Sequence, residues 1–431
     1  VFGLYRRVRG GGGVTAPIVV SLVDRKETVW AEEVERLRGA FGAPWNPLLF
    51  PQHFLASTFP KIGGQLARFE QEGALIAVGS LFPRGVRPDA RRIYTLRFHP
   101  VRKGESGAWV RPLLPEIGAT LGGAKIVFYD PAQPHQFERT NRVLPQGIGI
   151  GTPSDEEAQT IRHLQETIWG AEDDALYPAD LHSLGFGAGT TLVARQEGQI
   201  VGFLFGFYRF RGSPLPPEWD ALYGGNLRLE SQLLGVLPTV RKRGVGFLLK
   251  RAQAEDAREQ GIGIVNWTVD PLQFSNAVLN FGRLKALAFD FYPEHYNFRN
   301  ALNQVAASRF GITWLVQTGR VRAALAADRG GTIVDLATTP AITRVNAGAA
   351  MPRLDADAPT IAIEIPANWN AVQRDDLGLA LRWRETTDRL FAHYLGCAPG
   401  RYAVTGVGQD GDARFLLAER ITPEFLARFG S

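Results

Sequence analysis

Apolar residues recur along this chain at two spacings, and the switches between them mark the elements. Ile161, Leu164 and Ile168 return every three to four residues behind Ser154-Asp155-Glu156-Glu157, a capping box that opens a helix closed by Gly170. A second short helix is expected near 178–184. Residues 190–194 and 200–207 are apolar strands joined by Gln196-Glu197-Gly198-Gln199, a hairpin turn. A Pro/Gly-rich loop over 211–225 leads to a strand at 227–237. Val245, Leu248, Leu249 and Ala252 share one face of a helix over 245–260, which Gly261 ends. Residues 262–269 then read as a buried strand and 276–287 as a helix. This alternation predicts an α/β fold.

An earlier stretch carries the same order. Gly42-Ala43 with Phe50-Pro51 echoes Gly170-Ala171 with Tyr177-Pro178. Ala67-Arg68 and Glu72-Gly73 echo Ala194-Arg195 and Glu197-Gly198, Val101-Arg102-Lys103 echoes Val240-Arg241-Lys242, and 126–131 echoes 264–271. The matching order predicts two tandem units. After them, 312–317 is an expected strand, followed by a loop region rich in Thr, Ala and Gly. The tail is organised again: a strand over 360–365, a helix over 375–394, and a hairpin of 402–407 with 414–419. The expected division is a disordered leader at 1–13, a first unit at 14–145, a second at 150–320 and a C-terminal extension at 321–431. The first unit leaves little room for the closing strands of its sheet. The tail is therefore expected to supply them or to cover a sheet edge.

Composition narrows the function classes. Net charge is +5 on 431 residues, with the cations spread out and no Lys/Arg block of the kind that binds nucleic acid. No apolar run reaches the length of a membrane-spanning helix. The single cysteine, Cys397, rules out an internal disulfide and fits a reducing cytoplasm. Seven histidines are scattered without metal-ligand spacing, so no metal is expected. The start, with Arg6-Arg7-Val8-Arg9 and then Gly10 to Gly13, lacks the apolar core of a secretion signal.

The candidate chemistry centres on Arg241-Lys242-Arg243-Gly244-Val245-Gly246, between an apolar strand and a helix start. Such a turn aims backbone N–H groups and the positive end of a helix at one spot, which suits a pyrophosphate. The motif resembles the Arg/Gln-x-x-Gly-x-Gly/Ala signature of the GNAT superfamily of acyl-CoA-dependent N-acyltransferases. The order of elements over 154–296 resembles it too, which implies a mixed sheet with helices on both faces. Gly235-Val236-Leu237-Pro238, Trp267-Thr268-Val269-Asp270-Pro271-Leu272, Asn276, Glu364-Ile365-Pro366 and Leu381-Arg382-Trp383-Arg384 are similar to a bacterial subgroup linked with N-acylation of amino acids, some members using succinyl-CoA.

The resemblance implies direct acyl transfer in a ternary complex, with acetyl-CoA or another acyl-CoA held where two parallel strands splay, here 229–237 and 262–269. Backbone around Leu234, Gly235 and Val236 would bind the pantetheine arm, and an N–H of that strand the developing oxyanion. Arg241, Lys242, Arg243, Gly244, Val245 and Gly246 would hold the pyrophosphate, and Asn276 would lie near the pantetheine or act as a helix N-cap. An ammonium must lose a proton before it attacks. Glu230 stands where the family often places a carboxylate; a solvated strand-end charge is the equal alternative. The family's usual tyrosine, the acid for the leaving thiolate, is missing from Leu279-Asn280-Phe281-Gly282-Arg283-Leu284. Tyr292 and Tyr296 are the nearest substitutes, or are packing aromatics.

In the first unit Glu105 replaces the first motif glycine, where a carboxylate opposes a pyrophosphate, and Pro112 and Pro115 interrupt the following helix. That unit is expected to be degenerate. The acceptor is expected to be a primary amine of a small molecule, with an amino acid one candidate, and a homo-oligomer is compatible with the sequence. Two alternatives stay open: a non-catalytic acyl-CoA-binding or sensing protein, and a protein N-acetyltransferase.

Overall fold

The structure, a computed structural model, describes residues 4–6, 16–41, 49–102, 104–145, 147–170, 172–212, 214–223, 227–296, 304–327, 330–350 and 352–431. Gly42-Ala43, Lys103, Ala171 and Gly225, which the sequence reading used, lie outside them. So does most of the expected leader. Within it, however, Leu4–Arg6 forms a short strand antiparallel to Ile18–Leu22, satisfying an otherwise open sheet edge.

The chain forms two compact units. One comprises Val1–Gly212 with Asn226–Gln253, the other Ser213–Gly225 with Ala254–Ser431. The first holds two sheets. In one, β1 (Ile18–Leu22), β2 (Gln65–Gln71), β3 (Ala74–Val86) and β4 (Arg92–Pro100) form an antiparallel array, and β5 (Lys125–Tyr129) adds in parallel beside β4. In the other, β6 (Ile148–Gly151), β7 (Gly189–Gln196), β8 (Gln199–Phe210) and β9 (Leu227–Val236) run antiparallel in that order. Helix α1 (Glu27–Phe41) follows β1 and α2 (Leu114–Thr120) precedes β5, while α3 (Asp155–Trp169) follows β6.

Local chemistry explains these elements. Ser154 accepts from the Glu157 N–H while the Glu157 carboxylate accepts from the Ser154 N–H, so both halves of the capping box are made. Gly170 ends α3 in the left-handed region, at φ 62°. The β2–β3 and β7–β8 hairpins share one turn: Glu72 and Gly73 at φ 51° and 79°, Glu197 and Gly198 at 51° and 81°. Two successive positive φ values match the right-handed twist of the flanking strands.

The two sheets of this unit meet over an aromatic core. Phe54, Phe59 and Phe82 of the first half pack with Tyr177, Phe186, Phe205 and Phe207 of the second; Phe54–Phe207 ring centroids lie 4.9 Å apart. Beside this core, the fully buried guanidinium of Arg97 donates twice to Asp180, at 2.7 and 2.9 Å. The bidentate geometry offsets the desolvation of both charges.

In the second unit β10 (Ile264–Val269), β11 (Leu287–Tyr296), β12 (Ala307–Leu315), β13 (Thr360–Ile365), β14 (Tyr402–Asp410) and β15 (Ala413–Arg420) form a sheet ordered β13-β15-β14-β11-β12-β10. The tail hairpin β14–β15 therefore covers the β11 edge, through an Ala288–Val404 pair, and adds no strand to the first sheet. This answers the two expectations for the tail in favour of edge cover. Several elements differ from the sequence reading. Residues 211–225 contain a helix, Pro217–Tyr223, whose prolines sit at its start. The expected helix over 276–287 is a short turn, Phe274–Ala277, continued by a π-helical turn, Val278–Arg283, and Leu287 already begins β11. A further helix, Pro423–Gly430, closes the described chain.

Candidate functional site

The basic turn has the predicted geometry. After β9, Lys242 and Gly244 both adopt positive φ, 65° and 82°, and α4 (Val245–Glu259) begins at once. Leu248 N–H closes the first helical bond onto the Gly244 carbonyl at 3.0 Å. The N–H groups of Val245 and Gly246 lie in the first turn, where a helix offers them no internal acceptor. Arg241, Lys242 and Arg243 are exposed around that point. A Cβ at Gly246 would make only ordinary contacts, with Leu234 Cδ2 at 3.6 Å and Val236 Cγ2 at 4.0 Å.

The matching place in the first half is filled. A Cβ on Gly107 would fall 2.6 Å from the Phe128 ring and 2.8 Å from Phe98. Ser106 caps a 3-10 turn, Gly107–Leu113, that holds Pro112, in place of a regular helix. Moreover β4 and β5 pair in register from Ile93–Lys125 to Arg97–Tyr129, so the two strands do not part. Glu105 is thus one of several departures there.

The motif strand β9 carries a bulge. Phe205 faces Leu233 and Gly206 faces Ser231, so Gln232 has no opposite residue and leaves the ladder. Its side-chain amide donates to the Tyr177 hydroxyl at 2.9 Å. Glu230, buried at 9 % exposure, accepts from Arg209 across the β8–β9 ladder and forms an ion pair with it. Glu230 is therefore no solvated strand-end charge. Leu234 and Val236 flank Gly246, and a Cβ on Gly235 would strike Phe203 at 2.8 Å, so only glycine fits there.

Beneath the strand lies a residue that the sequence reading missed. Lys250, on α4, is 4 % exposed; its Nζ donates to Ser231 Oγ at 2.8 Å and to Gln253 Oε1 at 3.2 Å. Burial lowers its pKa to about 7, against the opposing pull of Glu230. Nothing in the sequence marks it, because a lysine on an amphipathic helix ordinarily reads as solvated.

The remaining candidates lie in the second unit. Asn276 is exposed at the third position of its helical turn, and Gln273 takes the N-cap instead. Tyr292 is half-buried on β11, its ring 5.5 Å from that of His295. Tyr296 ends the same strand opposite Ala307, and its side chain lies outside the described residues. The two strands expected to bracket the cofactor cleft, β9 and β10, fall in different compact units. Among the described residues no group of His, Cys, Asp and Glu could hold a metal, and no helix is long and apolar enough to cross a membrane.

The family comparison matches the stretch that holds this turn. Residues 158–279 match the acetyltransferase (GNAT) family model. The chain carries a GNAT-superfamily domain there, the domain of acyl-CoA-dependent N-acyltransferases. Among solved structures it is similar to an IAA acetyltransferase from Bacillus cereus ATCC 14579 (16% identity, 38% of this chain and 97% of that one, TM-score 0.28). It is also similar to the ribosomal-protein-S18-alanine N-acetyltransferase from Escherichia coli (11%, 40% and 96%, TM-score 0.30). A third is Arabidopsis thaliana NAA60 in complex with acetyl-CoA (14%, 40% and 99%, TM-score 0.33). A search of curated proteins returns no match.

Proposed function

We propose that this enzyme transfers an acetyl or succinyl group from acyl-CoA to a primary amine of a small molecule, by direct attack in a ternary complex. The observation that carries the reading is the turn over 241–246: two positive-φ residues feed the N-terminus of a fifteen-residue helix, with three exposed cations around it. Backbone N–H groups of Val245 and Gly246, with Lys242 to Gly244, hold the pyrophosphate. Leu234, Gly235 and Val236 line the pantetheine arm. The bulge at Gln232 takes backbone out of the ladder, and an N–H released there is the donor for the developing oxyanion. Glu230, through Ser231, Gln232 and water, accepts the amine's proton, and Tyr292 or Tyr296 returns one to the thiolate. The first half, whose element order and hairpin turns copy the second, is a degenerate unit of a tandem pair. The protein acts in the cytoplasm without a metal, nucleic acid or membrane, and its acceptor is a small molecule.

Gly244→Glu tests the assignment. It places a carboxylate at the pyrophosphate, as Glu105 does in the first half, and forces a side chain onto φ 82°. Calorimetry with acetyl-CoA and succinyl-CoA should show affinity falling at least ~100-fold, equivalent to about 2.8 kcal/mol. Unchanged affinity in a folded variant refutes the pyrophosphate site.

A further inference from the structure

Three successive side chains of β9, at and beside its bulge, are each tied to a different element. Glu230 is ion-paired with Arg209 on β8. Ser231 Oγ accepts from Lys250 Nζ on α4 at 2.8 Å. Gln232 Nε2 donates at 2.9 Å to the hydroxyl of Tyr177, which lies in the loop after α3. The last two ties leave β9 on opposite faces of the sheet, as the neighbouring strand β8 shows. Side chains alternate along a strand. A Cβ on Gly202 would lie 3.1 Å from Val245 and 3.4 Å from Leu249, both of α4. Three residues on, the Phe205 ring lies 5.1 Å from that of Tyr177. All of these residues belong to one compact unit.

Both anchors are themselves held. The Lys250 ammonium also donates to Oε1 of the fully buried Gln253, at 3.2 Å. Tyr177 is buried; its N–H donates to Gln165 Oε1 at 3.1 Å and its carbonyl accepts from Arg162 Nη1 at 3.3 Å, both residues of α3. Phe50 and Phe54 of the first half meet its ring edge-on, with centroids 6.0 and 5.5 Å away. A bulge residue has no opposite partner in the ladder, so its side-chain ties and those of its neighbours decide where its backbone points. We infer that Lys250 and Tyr177 are positioning residues that clamp the bulge from its two faces and so aim the oxyanion donor. Both act through β9, by way of Ser231 and Gln232. The part in acyl transfer rests on the N-acyltransferase reading above; the clamp does not. Phe50 and Phe54 give the first half a share in this clamp without a ligand of its own.

The test uses the full chain with Tyr177→Phe, which keeps the ring in the core and deletes the hydroxyl, and Lys250→Met, which keeps the chain length and deletes the ammonium. Three quantities are read: steady-state kinetics with acetyl-CoA and a panel of primary amines, acetyl-CoA affinity by calorimetry, and hydrogen–deuterium exchange over 228–236. A small displacement of a group that stabilises a transition state costs rate rather than binding. Each variant should therefore lower kcat about tenfold, with KM and acetyl-CoA affinity within about twofold of wild type. Exchange over 228–236 should speed up in both. Because the two ties hold one bulge, the double variant should lose less than the product of the single losses. Ser154→Ala, which weakens a cap away from β9, should change neither kcat nor that exchange. The clamp is overturned if both variants keep wild-type kcat and exchange, if acetyl-CoA affinity falls in step with kcat, or if the two losses multiply in full. Unaltered exchange and kcat in an active enzyme leaves the N-acyltransferase reading intact. Faster exchange in the variants, in a protein that binds acetyl-CoA and acylates no amine, upholds the clamp and overturns that reading instead.

Discussion

Lys250 and Glu230 show how much a single residue's meaning depends on what surrounds it. The lysine's pKa of about 7 lies below its ordinary 10.5 because it is buried. Between those pH values the unfolded chain binds a proton that the folded chain does not, so stability rises as pH climbs from 7 to 10.5. A tenfold change in proton affinity is worth about 1.4 kcal/mol, and the whole effect is on the order of a few kcal/mol. Denaturant midpoints should therefore increase between pH ~6.5 and ~9.5 for wild type and stay level for Lys250→Met. A parallel rise in both proteins would remove Lys250 from the account. Glu230 is held by Arg209 on one side of the strand whose next residue, Ser231, meets Lys250 on the other. If its carboxylate accepts the amine's proton, Glu230→Gln should cut kcat by ~10²-fold, mostly at lower pH where the amine is more fully protonated. A pH profile identical to wild type would take Glu230 out of the reaction.

At the scale of the element, short-range chemistry was readable to within a residue or two. The α3 capping box, the Gly170 terminator and the matched Glu-Gly turns all act over four residues, and all are made. Removing the cap isolates its worth: Ser154→Ala should cost about 1 kcal/mol, read as a lower denaturant midpoint with unchanged slope. No change would mean that tertiary packing alone holds the start of α3. Elements whose partners come from far along the chain were harder. Leu287–Tyr296 contains Pro293 and follows a π-helical turn, so its local pattern is weak. It is a strand because β12 and, from beyond residue 400, β14 pair with it.

For the whole molecule, the repeated order of elements raises the question of how many acyl-CoA sites one chain has. Three features set the first half against ligand at its own turn: β4 and β5 stay paired, Phe98 and Phe128 fill the space beside Gly107, and a 3-10 turn replaces the helix. Calorimetric titration with acetyl-CoA should give one site per chain. Two sites would mean that the first half opens to ligand despite these contacts. Its sheet has another use within its own unit, where Phe54, Phe59 and Phe82 complete the core under the second sheet and Arg97 anchors Asp180.

Periodicity, caps and turn glycines act within a dozen residues, and so the chain read alone already specified much of the order of helices and strands over 154–269, the basic turn and the α/β class. Resemblance in that same short stretch pointed to acyl-CoA chemistry. Burial and pairing could not be read the same way, because they depend on which distant surface covers a given face. Lys250 on a solvated-looking helix, Arg384 in an arginine-rich tail and Glu230 at a strand end are ordinary charges in sequence. Packing set the lysine beside Ser231, left two guanidinium nitrogens of Arg384 without partners among the described residues and joined Glu230 to Arg209.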